Sequence, residues 1–227
     1  MATATAATIG GGGSKLLTKF PPRTIYAIGR NYVAHAKELG NQVPDEPVVF
    51  NKTVGSLAAD PNKVRFPSGQ GEVHHELEVV LVVGEHLPMG KYQGPDCDCI
   101  AGVTLGLDFT LRDVQSKLKA KGLPWHLAKN FQDATIVFDS TKALDVDTPI
   151  TFQLHKNGKL VQDGDTELLI FPFHSLLKFI NSTVALHPGD YIFTGTPAGV
   201  GPVHDGDVLQ VVCDSMGINE TVEVHFE

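Results

Sequence analysis

In His74-His75-Glu76-Leu77-Glu78, which runs straight into Val79-Val80-Leu81-Val82-Val83-Gly84, two acids stand at the mouth of what reads as a buried strand. Side chains alternate across a strand, so Glu76 and Glu78 share one face while Leu77 and Val79 share the other. Two carboxylates so placed repel each other, and beside an apolar run either a raised pKa or a bound cation relieves the repulsion. A hard divalent metal with oxygen ligands is the simplest such cation. Residues 99–109 form a second strand-like segment that closes on an isolated acid, Asp108. Three carboxylates from two strands leave coordination positions open for water or a chelating ligand, as in many catalytic Mg2+ or Mn2+ sites. The same spacing also fits a plainer arrangement, with Glu76 and Glu78 on a solvent face and Asp108 capping the next helix.

Other residues could act on a ligand held there. His35 and Glu38 lie three apart and so share a helical face, where the carboxylate can fix the imidazole tautomer and raise its basicity. That is a general base in outline, although a surface ion pair has the same spacing. Lys129, between an apolar turn and Phe131, suits an anion or an enolate if partly buried, and is otherwise a surface lysine. Arg112 and Gln115 fall on the polar face of the helix expected after Asp108, facing either the cleft or water. The glycine-rich stretch at residues 194–201 offers backbone donors for an anion, or serves as a plain turn.

These residues need a frame. Residues 23–29 read as a strand, after which Asn31 can cap a helix running to about Leu39 with Gly40 as its stop. Past Asp108 the pattern turns helical, with Leu111, Val114 and Leu118 on one face and Thr110 to Asp113 as a capping box. That helix ends at Gly122, and residues 124–129 follow as a loop whose lone Trp125 is expected in the core. Lys156-Asn157-Gly158-Lys159 signals a type I′ hairpin, residues 173–181 a helix packed on a sheet, and residues 186–193 a strand leading into the glycine-rich loop.

Composition sets the class. A chain of 227 residues, 42% hydrophobic, can bury one large core. The 23 glycines and 14 prolines punctuate many short strand-like runs and favour a β-rich α+β fold. A net charge of -8 argues against a nucleic-acid partner. The three cysteines, two of them in Asp96-Cys97-Asp98-Cys99, suit neither a zinc site nor a disulfide framework. No apolar run approaches the ~20 residues that span a bilayer, so a soluble protein without a membrane partner is expected. The first 23 residues carry no acid and include Lys15, Lys19 and Arg23, a faint transit-peptide signature, while Gly10-Gly11-Gly12-Gly13-Ser14 reads as a flexible tail.

Taken in order, several motifs resemble the fumarylacetoacetate hydrolase family. They are Gly29-Arg30-Asn31-Tyr32 with His35 and Glu38, His75-Glu76-Leu77-Glu78, Leu107-Asp108 with Arg112-Asp113-Val114-Gln115, Gly122-Leu123-Pro124-Trp125 with Ala128-Lys129, and Thr194-Gly195-Thr196-Pro197 with Gly199-Val200-Gly201. The match runs from about residue 23 to the end, and the Arg-Asp-Val-Gln and Leu-Pro-Trp segments look most like the acylpyruvate hydrolase and oxaloacetate decarboxylase branch.

The resemblance implies a mixed β-roll or sandwich with short peripheral helices, residues 1–20 being a flexible tail or weak targeting segment and 21–227 one catalytic domain. It implies a homodimer, with Mg2+ or Mn2+ on Glu76, Glu78 and Asp108. His35 and Glu38 become a water-activating dyad on a lid helix, Lys129 contacts a bound oxo acid, and Arg30, Gln115 and Thr196 complete the pocket. The substrate is then a small 2-oxo or 2,4-dioxo acid, and one enolate serves acylpyruvate hydrolysis, oxaloacetate decarboxylation and oxaloacetate keto-enol tautomerisation alike. A non-catalytic metal or oxo-acid binder is the alternative of another class. The compartment is mitochondrial matrix or cytoplasm. Asn51-Lys52-Thr53 and residues 134–138 depart from the branch pattern, and His74 and His75 are read as supporting or structural residues.

Overall fold

The computed structural model describes residues 16–94, 99–139 and 148–227. Within them the first strands are β1 (Ile25–Gly29), β2 (Val48–Lys52), β3 (Lys63–Phe66), β4 (Val73–His75), β5 (Leu77–Val83), β6 (Ile100–Asp108) and β7 (Thr110–Leu111). The rest are β8 (Thr135–Val137), β9 (Thr151–Lys156), β10 (Lys159–Asp165), β11 (Tyr191–Phe193), β12 (Gly201–Pro202), β13 (Val208–Cys213) and β14 (Ile218–Phe226). The helices are short: α1 (Leu16–Lys19), α2 (Val33–Glu38), α3 (Arg112–Ala120), α4 (His126–Lys129) and α5 (Phe173–Asn181). None of them is long and apolar enough to cross a membrane. The β-rich class expected from composition is what forms.

A six-stranded sheet in the order β2-β1-β11-β5-β6-β8 carries the fold. Its two edges curl toward each other, because the chain just past β2 reaches β8: Leu57 bridges Thr135, and the Ala58 amide donates to the Thr135 carbonyl at 2.8 Å. Closure into a roll hides the edge groups that an open sheet would leave exposed. A five-stranded sheet, β10-β9-β13-β14-β3, packs against it, and a three-stranded sheet, β12-β4-β7, completes the structure.

Strand β5 is buried along its whole length because both its faces are covered. Leu77, Val79, Leu81 and Val83 enter the main core with Phe66, Phe109 and Phe152, while Val80 and Val82 enter a second cluster with Ile25, Ala27, Tyr191 and Phe193. Leu16, Leu17 and Phe20 pack on this second cluster. Residues 16–20 are therefore docked on the sheet, whereas the Gly10 to Ser14 stretch, Lys15 and Cys97 lie outside the described residues.

The hairpin forms as expected, with Asn157 and Gly158 at φ of 52° and 77°, and α5 spans the residues assigned to it. Two caps do not form. The α2 N-cap is Tyr32, with no side-chain cap bond, and Asn31 is spent elsewhere: its side-chain amide donates to the Thr194 and Phe171 carbonyls at 2.8 and 3.0 Å. It thereby pins the glycine-rich loop. At α3, Leu111 is the N-cap without a side-chain bond, since the Thr110 hydroxyl turns back to the Asp108 carbonyl and Asp113 accepts from the Glu72 amide. The segment at 124–129 is not all loop, for it contains α4. Trp125 is half-buried at its start rather than in the core.

Register sets the acids. Leu77 pairs with Leu107, so Glu78 faces Gly106 and Glu76 lies beside Asp108, whose amide donates to the Glu76 carbonyl at 2.9 Å. A Cβ at Gly106 would stand 2.6 Å from the Ile136 carbonyl oxygen and 2.7 Å from the Phe193 ring. Gly106→Ala is expected to cost about 1–3 kcal/mol, measured by denaturant unfolding; a wild-type midpoint would contradict this packing.

Candidate active site

Glu76, Glu78 and Asp108 are buried together, each offering an oxygen within 4.8 Å of the others. Glu76 falls between β4 and β5, where the strand breaks, while Glu78 keeps the parity of Val80 and Val82 at the open end of that face. The solvent-face alternative is excluded. A divalent ion fits this donor set, because each carboxylate can accept about four contacts and the protein partners described next leave lone pairs on all three.

Those partners are cations. The Lys129 ammonium, buried on α4, bridges Glu76 Oε2 at 2.7 Å and Asp108 Oδ2 at 2.6 Å. The Arg112 guanidinium pairs with Glu76 Oε1 and also donates to Gln115 Oε1 at 2.7 Å. Lys52, at the end of β2, donates to Asp108 Oδ1 at 2.5 Å and to the Lys129 carbonyl at 2.6 Å. Among the described residues Glu78 has no such partner, and its carboxylate accepts only the Gly195 amide, at 2.7 Å.

The protonation pattern follows. Burial alone would raise the Glu76 pKa, but Lys129, Arg112 and His35 override it and hold the carboxyl well below the usual range. Burial, reinforced by the charges of Asp108 and Glu76, pushes Glu78 well above that range. Lys129 is burdened by burial yet raised by Asp108 and Glu76, whereas burial and the nearby Lys129 lower Lys52 despite Asp108.

Above the carboxylates, His35 Nδ1 stands 3.5 Å from Glu38 Oε2 and, though buried, makes no hydrogen bond. Such pairs tighten when ligand binds. Burial lowers the His35 pKa, against the pull of Glu76, so the imidazole is neutral at neutral pH. Glu38 is fixed from behind by the Gly199 amide at 3.0 and 3.2 Å to its two oxygens. The glycine-rich loop does bind anions, but they are the protein's own Glu78 and Glu38.

Every candidate drawn from the sequence is brought to one region. Arg30, His35, Glu76, Glu78, Gln115, Lys129 and Thr196 line a single narrow cleft, with Asp108 beneath its floor and Glu38 behind His35. Thr196 donates to the Leu77 carbonyl at 2.9 Å and accepts from Gln162 at 2.7 Å. Gln162 also takes the Leu77 amide and His75 Nδ1, both at 3.1 Å. His75 is thus a buried structural histidine, its pKa lowered to about 4 chiefly by burial, and His74 bonds Glu72. Neither joins the carboxylate cluster.

Two site residues escaped the sequence reading. Lys52 had a usable signal, since Val48, Phe50 and Lys52 alternate inward along β2, and a lysine in an inward register needs an acid. Gln162 had none. It turns inward at a β-bulge in a hairpin strand whose first two residues, Lys159 and Leu160, are exposed.

The fumarylacetoacetate (FAA) hydrolase C-terminal family matches residues 24–223, and the chain belongs to that family. It is 36% identical to a mitochondrial oxaloacetate tautomerase of Saccharomyces cerevisiae, over 90% of this chain and 92% of the relative. It is 37% identical to a mitochondrial oxaloacetate decarboxylase of Dictyostelium discoideum, over 88% and 92%. The crystal structure of a fumarylpyruvate hydrolase from Pseudomonas aeruginosa in complex with Mn2+ and pyruvate superposes with a TM-score of 0.82 at 30% identity, covering 92% of this chain and 91% of that one. The β-roll expected from the sequence motifs is the fold these structures share.

Lys52 generates a test. Lys52→Met removes one partner of a buried ion cluster and is expected to destabilise the protein in EDTA by about 3 kcal/mol or more, with Mg2+ restoring more stability than it adds to wild type. A variant with the wild-type melting temperature in EDTA would contradict this role.

Proposed function

We propose that the protein is a divalent-metal-dependent enzyme acting on small 2-oxo and 2,4-dioxo acids. It hydrolyses acylpyruvates to pyruvate and a carboxylate and decarboxylates oxaloacetate. The observation that carries this reading is the buried three-carboxylate cluster in which, among the described residues, Glu78 alone forms no ion pair. Glu76, Glu78 and Asp108 would hold Mg2+ or Mn2+, which when bound supplies Lewis-acid stabilisation to negative charge on the 2-oxo oxygen of a chelating acid. Lys52, Lys129 and Arg112 equal the three acids in number, although none of them pairs with Glu78, so the added double charge suits a dianionic ligand. The Mn2+ and pyruvate in the Pseudomonas relative support the choice of ligand class.

The chain's own residues supply the rest. Neutral His35 takes the proton from a water aimed at the C4 carbonyl, and Glu38 behind Nδ1 holds the tautomer that leaves Nε2 free to accept it. The new carbon-oxygen bond at C4 is followed by rupture of C3-C4, whose electron pair passes to C3 and is delocalised as pyruvate enolate. Lys129 places its ammonium beside that developing charge. Protonation at C3 completes pyruvate. In oxaloacetate the same electron pair comes from the bond to the departing CO2.

The Saccharomyces relative's name favours a second reading, in which keto-enol exchange of oxaloacetate is the principal activity. That route moves only a C3 proton and needs no attacking water, so it depends less on His35.

EDTA should abolish turnover of oxaloacetate and acetylpyruvate, with Mg2+ or Mn2+ restoring it; unchanged turnover in chelator contradicts the metal assignment. Glu76→Ala should eliminate all activities. His35→Ala should lower hydrolysis by about 10²–10⁴-fold and tautomerisation far less; equal losses would remove His35 as the hydrolytic base. Burial places the His35 pKa below 6.5, and the base form is lost only as pH falls through that lowered value. Hydrolytic kcat/KM should therefore fall to half its plateau only at a pH below 6.5, whereas a midpoint at or above 6.5 would contradict a buried neutral imidazole.

A further inference from the structure

The rim of the cleft carries two cations to which the chemistry above assigns no atom of the substrate. Arg112, Gln115 and Lys119 are spaced i, i+3, i+7 on α3, so one helical face runs from the carboxylates outward. At ~1.5 Å per residue, Lys119 stands roughly 10 Å along the axis from Arg112. Arg30 enters the rim from the end of β1. Its Cζ and Lys119 Nζ both lie 6.0 Å from the centre of the Trp125 ring.

That ring is a fixed platform. Phe50 packs on it with centroids 5.6 Å apart, and a Cβ at Gly29 would stand 3.2 Å from its edge. Lys119 is also held, donating to Asn41 Oδ1 at 2.8 Å, which ties α3 to the chain just past α2. Arg30 adopts φ of 60°, a left-handed conformation that costs a non-glycine residue energy and is retained mainly where function needs it. Its buried Nε has no hydrogen-bond partner among the described residues.

Among the described residues no carboxylate forms an ion pair with either cation. The environment is short of negative charge: burial, then Arg30 and Arg112, lower the Lys119 pKa. Two clustered cations on an aromatic platform, facing a cleft whose floor is built to hold the other end of an oxo acid, lack an anion.

We propose that Lys119 and Arg30 form a subsite for the second, distal carboxylate of the substrate, and that Lys119 is the residue by which the enzyme selects dicarboxylic 2-oxo acids over monocarboxylic ones of equal length. This rests on the reading above in one respect, that the floor holds the 2-oxo acid end. The ligand class is a short chain with a chelating 2-oxo carboxylate at one end and a free carboxylate at the other.

The test compares 2-oxoglutarate with 2-oxopentanoate, which share a chain length and differ in a terminal carboxylate against a methyl group. Binding of each is measured by calorimetry with saturating Mg2+, and oxalate serves as the probe of the floor alone. Wild type should bind 2-oxoglutarate about tenfold or more tighter, the discrimination expected of a charge-assisted hydrogen bond. Lys119→Met should bring the ratio to about one, and Lys119→Arg should retain most of it. Lys119 is half-exposed on a helix surface, so both variants should keep the wild-type melting temperature. Equal affinities in wild type, or a ratio that survives in Lys119→Met, would overturn the subsite while oxalate binding leaves the floor standing. Failure of oxalate to bind with Mg2+ would overturn both.

Discussion

Mutual repulsion among three carboxylates that the fold withdraws from water is the constraint on which the structure depends. Glu76, Glu78 and Asp108 lie at the junction of the two central strands, where burial penalises every charge and each acid raises the cost of its neighbours. The protein offsets only part of this. Lys52, Lys129 and Arg112 pair with Glu76 and Asp108, and among the described residues Glu78 is left with a single backbone amide. A fully compensated cluster would be an inert structural ion network. One carboxylate without a cationic partner beside an open cleft is the feature on which the proposed binding of a divalent ion rests.

The rest of the architecture can be understood as what holds that arrangement still. Curling of the sheet until the chain past β2 meets β8 brings Lys52 under Asp108, although β2 and β8 sit at opposite edges in strand order. Gly106 lets Phe193 close on the strand opposite Glu78. Asn31 and Gln162 clamp the glycine-rich loop from opposite sides, the first through the Thr194 carbonyl and the second through Thr196 and the Pro197 carbonyl. Gly199 rests against the Val161 carbonyl, where a side chain has no space. The loop amides then meet Glu78 and Glu38, so one segment holds both the carboxylate cluster and the His35–Glu38 pair above it.

Much of this was legible in the sequence, for identifiable reasons. Alternation placed Glu76 and Glu78 on one face, and the switch from strand to helix after Asp108 put Arg112 and Gln115 on one polar face, because both signals are local; that this face meets the cleft rather than water came only from the fold. The hairpin at Asn157-Gly158 and the helix over residues 173–181 were equally local. What escaped depended on distant partners. Asn31 looks like a helix cap until Thr194 and Phe171, more than a hundred residues away, claim its side chain. Thr110 and Asp113 fail as a capping box for the same kind of reason. Gln162 is invisible without the bulge that turns it inward, and the extent of Lys129 burial could not be read without the roll around it.

Tautomerase, decarboxylase and hydrolase are all names borne by relatives of this chain. All three share the same electrostatic requirement at the floor. The most direct measurement is therefore of the metal itself: calorimetric titration of Mn2+ into the wild-type protein and into Glu78→Gln, which keeps the shape of the side chain and removes its charge. One ion per chain in wild type, with affinity weakened about tenfold or more in the variant, is the predicted result. No binding to wild type, or equal binding to both, would contradict the claim that the unpaired carboxylate exists to hold a divalent cation.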